Sequence, residues 1–414
     1  MLDWIINLPN NCSLIKQYHR VEIKELFTGY QQDQKKKNIA RIIEIAHETK
    51  GISRIDVAKE LDIDRSTVTT IVPELIKNGI LRELRVEPNG KGGRPPILLQ
   101  IKENFGYTIG IAIHLTNFIA TVLDLNGNVV QVFKEDLPYT FNQFTRNCIA
   151  ILQQTEKVMQ TTGIPIIGAV IAISGIIDPK KNRIDRSFVF QLEDFDFQKE
   201  IADHFRYPLF VENDANACAW GELFPPWNRK FSSFLYLLAR TTKFNIDSQV
   251  DTGMGIGMGV VIDGRIIHGS HYQAGELRSV YLKTACETEN QVSIPQFRLA
   301  HIQHDKTVLK ELVREVLINL IPITSVLDPE AIIFGGDIKG KIDVIHEVLQ
   351  ESLSDTFLAS EQSKYAFVAS NKGDNEVSTG AASLFLYRLF KQPQDESELS
   401  EKASWEQIFK LTEI

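Results

Sequence analysis

From Tyr107 to Phe390 short strand-type apolar runs alternate with helix-type stretches, and that alternation dictates an α/β body. The run YTIGIAIHLTNFIATVLDLNGNVVQVFKEDL holds three strand-type segments, with Asn126, Gly127 and Asn128 as a tight hairpin turn. A helix is predicted around Phe141 to Thr161. IIGAVIAISGIIDP reads as a buried strand ending in a turn, and PLFVENDANACAWGEL as a strand running into a helix. A second lobe opens with FLYLLAR and continues as GMGIGMGVVIDGRIIHG, where Gly253, Gly255, Gly257, Gly259, Gly264 and Gly269 permit a tight turn and close strand approach. Leu309 to Leu327 reads as a long helix, AIIFGGDI as a strand ending at Gly335 and Gly336, and STGAASLFLYRLF as a closing helix.

The 414 residues suit two or three domains. No apolar run approaches the roughly 20 residues of a membrane-spanning helix, and MLDWIINLPNN lacks the basic start and cleavage site of a signal peptide, so a cytoplasmic protein without a membrane partner is expected. Cys12, Cys148, Cys218 and Cys286 are scattered, with no spacing for a disulfide framework or a zinc knuckle, and are expected to be reduced and mostly packed. The net charge of -8 is unevenly spread: residues 35–100 hold 13 Lys and Arg against 9 Asp and Glu, which leaves -12 elsewhere. A basic segment therefore precedes an acidic body.

That basic segment has a helix-turn-helix rhythm. Ile39, Ile42, Ile43 and Ala46 fall at helical spacing and Gly51 stops the helix. Ser53 is a good N-cap for a second helix with Ile55, Ala58 and Leu61 on its inner face. After the turn DIDR, Ser66 is expected to cap a third helix whose Val68, Ile71, Val72, Leu75 and Ile76 face the first two. Arg65, Ser66, Thr67, Thr69 and Thr70 then lie at its exposed start, where a recognition helix presents short hydroxyl side chains to bases and phosphates. Two strand-like runs around GKGGRPP form a hairpin wing, whose tip offers Lys91 and Arg94 to a narrow groove. The alternative is a three-helix module for protein contacts. Residues 1–30 include an amphipathic stretch, Leu14, Tyr18, Val21, Ile23 and Leu26, suited to packing on this module or to a dimer interface.

In the body, polar residues at strand ends are the candidate site. Asn213, Asp214 and Asn216 follow the apolar LFV, and Glu276 follows a glycine-permitted turn in QAGELR. Carboxylates and amides converging in a cleft suit polyhydroxylated ligands. Helix capping by Asp214 and a surface position for Glu276 fit the spacing equally well.

In their order, the winged helix, GRPPILLQI, AISGIID, VENDANACAWGE, GMGIGMGVVIDGRIIHG, QAGEL and LDPEAIIFGGDI resemble the ROK family (repressor, open reading frame, kinase), and the likeness runs from about Leu14 to Phe390. It implies a two-lobed, actin-like (ribonuclease H-like) α/β body, usually dimeric or tetrameric. Asp214 matches the catalytic base of the family's kinases, which also binds a sugar hydroxyl. Asn213 and Glu276 match sugar contacts, and Gln191 lies near a sugar-binding asparagine. Gly255 and Gly257 match a second phosphate loop, and Gly335 and Gly336 the adenosine-side turn. Where the family's first phosphate motif runs like GIDIGGT, this chain has Ala112, His114 and Leu115. Ala112 offers no carboxylate to organise magnesium, and side chains stand where ATP would sit, so phosphoryl transfer and ATP binding are not expected. Arg278 and Ser279 replace a Gly-His pair and Cys286 is the lone nearby thiol, so the family's structural zinc is not expected either.

The expected organisation is a helical extension over 1–34, a winged helix-turn-helix over 35–102, a sensor and oligomerisation body over 103–392, and an acidic, mobile or peripheral tail over 393–414. The expected function is a DNA-binding transcriptional regulator, a repressor of carbohydrate metabolism. It would pair with double-stranded operator DNA, respond to a sugar or sugar phosphate, and form a homodimer or homotetramer. Xylose-type and glucose-type regulators of the family share these motifs. The alternatives are a ligand-independent regulator with a decayed pocket and a sugar kinase that kept its DNA module.

Overall fold

The computed structural model describes residues 30–85, 96–136, 143–243, 252–282, 291–352, 365–391 and 403–412. The front module packs α1 (Tyr30–Glu48), α2 (Arg54–Glu60) and α3 (Arg65–Lys77) on a sheet of β1 (Ile52–Ser53), β2 (Leu81–Arg85) and β3 (Ile97–Ile101) in the order β1-β3-β2. Ile39, Ile42, Ile43 and Ala46 are buried, as their spacing predicts. Ser53 caps α2, its hydroxyl accepting from the Asp56 amide at 3.2 Å. Two local expectations fail. Ile55 is 60% exposed; at about 100° per residue Val57 lies nearly opposite it on α2 and is buried in its place, beside the expected Ala58. Ser66 is not a cap either. The helix starts earlier: Asp64 is its extended N-cap residue, and the Asp64 carbonyl already accepts from the amides of Thr67 and Val68.

The first lobe is a five-stranded sheet in the order β11-β7-β4-β5-β6, built from β4 (Tyr107–Ile113), β5 (Asn117–Leu123), β6 (Val129–Asp136), β7 (Ile166–Ile173) and β11 (Leu209–Asn213). A small sheet of β8 (Ile176–Asp178), β9 (Arg183–Ser187) and β10 (Leu192–Phe195) flanks it, together with α4 (Phe144–Met159) and α5 (Phe197–Glu200). All seven residues of β4 are buried because both faces of the sheet are covered.

From the end of β11 the chain turns into α6 (Asp214–Leu223), which leads across to the second lobe. There β12 (Phe234–Lys243), β13 (Thr252–Ile262), β14 (Arg265–Ile266), β15 (Ala331–Gly336) and β16 (Ala366–Ala369) form a second five-stranded sheet in the order β14-β13-β12-β15-β16. It is covered by α7 (Gln296–Leu299), α8 (Lys306–Leu327) and α9 (Ile342–Ser352). The glycine run before Asp263 is not a turn but β13 itself, antiparallel to β12 from Phe234 opposite Val261 to Lys243 opposite Thr252. The tight turn comes only at Asp263 and Gly264, both at positive φ.

The closing helix α10 (Glu376–Phe390) returns to the first lobe and crosses α6. At the crossing Gly380 is obligatory in size, since a Cβ there would strike the Ala217 carbonyl. The acidic end of the chain is not all peripheral. Residues 403–412 include α11 (Trp405–Thr412), with Ala403, Trp405, Ile408 and Phe409 buried in the same apolar cluster as the front module and the first lobe. Trp405 packs on Phe105 and Phe390, and Glu406 pairs with Lys36 of α1 at 2.9 Å. The amphipathic spacing of this last helix outweighs the acidic composition around it. Cys148 and Cys218 are buried and free, whereas Cys12, Cys286 and the stretch Leu14 to Leu26 lie outside the described residues. Among the described residues no helix is long and apolar enough to cross a membrane.

Candidate functional site

At the front of the molecule, burial of Val68, Ile71, Val72 and Leu75 fixes the rotation of α3. The opposite side of its first two turns is left to solvent: Arg65, Ser66, Thr69 and Thr70 are exposed and Thr67 is half-buried. The Thr69 and Thr70 hydroxyls donate back to the carbonyls of Arg65 and Ser66 at 2.8 and 2.9 Å, which leaves their oxygens outward as acceptors. Arg65 makes no ion pair with any described carboxylate. Lys91 and Arg94 of the wing lie outside the described residues.

Between the lobes, Asn213 takes the capping role considered for Asp214. Its side-chain oxygen accepts from the amides of Ala215 and Asn216 at 2.9 and 3.1 Å, and its Nδ2 donates to the Gly175 carbonyl at 2.9 Å. Asp214, at the first position of α6, keeps Oδ1 on the Ala215 amide at 2.9 Å and lies beside Gly257 of β13. Burial raises the pKa of its carboxyl, and the charge of Arg240 opposes the rise. Glu276 bridges to Gly257 of β13, and its pKa is raised by the protein around its carboxyl and by the charge of Asp214. Asn213, Asn216, Gly257, Tyr272 and Glu276 surround a cavity of about 10 Å³, room for roughly one water. The structure thus gathers Asn213, Asp214 and Glu276, while Gln191 stands apart, exposed at positive φ in the turn between β9 and β10.

Beside this cavity lies a polar cluster that the sequence reading did not include. Arg240, at the end of the buried run of β12, places Nη1 2.8 Å from Nε2 of His114 and Nη2 3.7 Å from Oε1 of Glu376. Glu376, only 1% exposed, also accepts from the Gly336 amide at 2.7 Å and from the Tyr236 hydroxyl at 2.9 Å. Burial, then the charges of Arg240 and Lys134, lower the pKa of His114 to about 3. The imidazole is therefore neutral at physiological pH, and because arginine only donates, Nε2 is its acceptor. Residues of both lobes and the start of α10 thus meet on one guanidinium. Leu115, expected to project into the same space, instead points into the first lobe's core with Phe118, because neighbouring residues leave the backbone on opposite sides. Ala112 is buried on the α10 side. The backbone donor of Gly336, at positive φ, is taken by Glu376 rather than left open.

A second pair crosses the lobes nearby. Glu212 is completely buried in β11 with Oε2 3.2 Å from Nε2 of His268. Burial alone would raise its pKa, but His268 and Arg388 outweigh it and hold the carboxyl below the usual range. A cation closing the apolar run FLYLLAR and an acid inside LFVEN are the signals that point to Arg240 and Glu212. Of the residues at the family's zinc positions, Arg278 is exposed and Ser279 is buried, its Oγ accepting from the Tyr281 amide. Among the described residues no three His, Cys, Asp or Glu side chains group closely enough to hold a metal ion.

Residues 108–291 match the ROK family, and residues 36–82 match the winged helix-turn-helix DNA-binding family. The chain carries a ROK family domain behind a winged helix-turn-helix domain. Among ROK relatives, the putative xylose repressor of Caldicellulosiruptor sp. (strain Rt8B.4) is 28% identical over 233 residues, which are 55% of this chain and 54% of that protein. The chain thus spans about half the length of that relative. The xylose repressor of Bacillus subtilis (strain 168) is 23% identical over 368 residues, covering 81% of this chain and 91% of that one. The fold is that of a ROK family transcriptional regulator described as a homologue of the E. coli MLC protein, with TM-score 0.67 and 18% identity over 86% of this chain and 97% of that one. A ROK family glucokinase from Streptomyces griseus, solved with glucose and AMPPNP, superposes with TM-score 0.52 and 19% identity over 67% of this chain and 99% of its own.

Proposed function

We propose that this protein is a DNA-binding transcriptional regulator, a repressor of carbohydrate metabolism whose ROK body senses a sugar or sugar phosphate. The observation that carries the reading is the solvent-facing start of α3, where Arg65, Ser66, Thr69 and Thr70 are exposed while the apolar side of the helix is fully engaged. In this reading those residues, with Thr67, enter the major groove of operator DNA, and Lys91 and Arg94 of the wing reach the neighbouring backbone or minor groove. The protein works as a homodimer or homotetramer in the cytoplasm and uses neither zinc nor ATP. Asn213, Asp214 and Glu276 bind hydroxyls of the effector; Gln191 stands too far into solvent to join them without rearrangement.

A cavity of about 10 Å³ admits no sugar. Effector binding therefore requires the lobes to part, which separates Arg240 from His114 and moves α6 against α10. The apolar cluster shared by α10, α11 and the front module carries that movement to α3. Such coupling needs a higher effector affinity for the open state than for the closed one. The closed cleft equally favours a second reading, a ligand-independent regulator in which the body serves as an oligomeric scaffold. Phosphoryl transfer is disfavoured in both, because Arg240, His114 and Glu376 use one another and the Gly336 amide.

Fluorescence anisotropy on DNA upstream of the protein's own operon tests the DNA role: affinity should fall steeply with salt as counterions are released. A flat salt dependence would reject it. A thermal-shift screen of sugars and sugar phosphates on wild type and Asp214→Ala separates the two regulator readings, since a ligand that stabilises only the wild type supports sensing. Robust ATP turnover with any hexose or pentose would overturn the non-enzymatic reading.

A further inference from the structure

Where the front module meets the first lobe, a cavity of about 490 Å³ opens that shares no residue with the interlobe cleft. It has the size of a small-molecule site. Its walls come from both sides of the junction: the end of α1, the wing strands, the β5–β6 turn, the loop after α6, and the residue range before α10. No carboxylate lines it, whereas Lys50, Arg82 and Lys372 do. Arg82 is paired with Glu103 at 3.0 Å. Lys50 lies 4.7 Å over the Trp227 ring, and neither it nor Lys372 makes an ion pair with a described carboxylate; the charge of Lys372 reaches Glu222 only at longer range.

Of the neutral polar side chains of the wall, Gln100 donates to the Lys50 carbonyl and Asn128 to Asp124, whereas two asparagines are unused. The side-chain amides of Asn126 and Asn228 make no hydrogen bond with described residues. His47, 2% exposed, is clamped with its ring 3.8 Å from that of Phe390, and its Nε2 is buried without a partner. Two ammoniums without a carboxylate partner and two open amides thus face one cavity, beside the indole of Trp227 and with the buried His47 ring behind it.

We propose that this junction cavity binds a small phosphorylated polyol, a hexose 6-phosphate or a pentose 5-phosphate. Lys50 and Lys372 take the phosphate as mobile point charges, and Asn126 and Asn228 take hydroxyls. The site is separate from the Asp214 cleft and does not depend on that cleft's binding anything. Because Lys50 and His47 belong to the front module and Lys372 and Asn228 to the body, the bound molecule joins the two and holds α3 in the orientation seen here. That last consequence rests on the regulator reading; the binding itself does not.

Isothermal titration and thermal unfolding of the full chain with glucose 6-phosphate, ribose 5-phosphate, glucose and inorganic phosphate test it. The expected result is that at least one sugar phosphate binds and raises the melting temperature by a few degrees, while glucose and inorganic phosphate do not. Lys50→Ala combined with Lys372→Ala should weaken that binding by at least about tenfold. Asn228→Asp, which sets a carboxylate on the wall, should weaken it as well. Ligand-free melting temperatures of the variants verify folding. The proposal is overturned if neither sugar phosphate binds, if inorganic phosphate binds as tightly as they do, or if binding survives the lysine and Asn228 changes.

Discussion

The guanidinium of Arg240 stands 2.8 Å from Nε2 of His114, so a strand end of the second lobe is tied to a strand end of the first through a single hydrogen bond to a neutral imidazole. The same guanidinium faces Glu376, which is almost wholly buried. Arg240→Met should therefore destabilise the protein by about 3 kcal/mol, the cost of stranding a buried carboxylate. His114→Gln, which keeps an acceptor of similar reach, should cost less than half as much. Urea unfolding checks both, and equal losses in the two variants would show that the imidazole matters as more than an acceptor.

Stability should decline in mild acid. His114 and His47 both titrate at about 3 in the folded protein, against an ordinary 6.5, burial being the main cause for each. A base whose folded pKa is depressed takes up its proton more readily when unfolded, so its contribution is complete above pH 6.5 and is lost as the pH falls towards 3. At 1.36 kcal/mol per unit, each histidine removes about 2 kcal/mol by pH 5. The raised carboxyls of Asp214 and Glu276 act with the opposite sign and soften the fall. Melting temperature measured from pH 7.5 to 5 should drop in the wild type and drop less in His114→Gln and His47→Gln.

The crossing of α6 and α10 sets a size limit. In Gly380→Ala the new methyl meets the Ala217 carbonyl, which is backbone and cannot turn aside. Overpacking of this kind costs roughly 1 to 3 kcal/mol or more. A melting temperature within a degree of wild type would mean that the two helices can separate freely.

At the exposed start of α3 the expectation is reversed. Arg65→Ala and Ser66→Ala touch no buried group, so stability should stay within about 0.5 kcal/mol of wild type. Operator affinity should nevertheless fall roughly tenfold for each if these side chains meet DNA. Anisotropy titrations beside thermal melts separate the two effects, and unchanged affinity in both variants would remove α3 from the interface.

Much of this architecture is legible in residue spacing. The buried faces of α1 and α3, both lobes' strands, and the turn at Asn126 to Asn128 follow from local periodicity, because one side of each element must be apolar. Where one residue decides the side, the reading weakens. Ile55 is apolar yet outward, since a seven-residue helix holds too few positions to average over. His114 and Leu115 are adjacent, and only the paired strand reveals that one faces the cleft and the other the core. Asp214 and Asn213 were separable only in space, where the amide takes the cap and the carboxylate lies beside Gly257 of β13. Arg240 was visible as a lone cation closing an apolar run, but its partners His114 and Glu376 lie 126 and 136 positions away, and no local pattern joins them. Helix α11 carries Trp405, Ile408 and Phe409 at helical spacing, hidden behind an acidic stretch.

The seat of that last helix has a consequence for biosynthesis. The front module contains its own three helices and sheet, so it can acquire its fold soon after it leaves the ribosome. Its attachment to the body runs partly through His47 on Phe224 and Trp227, and partly through Phe390, Trp405 and the Lys36–Glu406 pair, which are translated long afterwards. A nascent chain therefore carries a folded but only partly anchored front module, whose seat is completed when α11 has been made and docked.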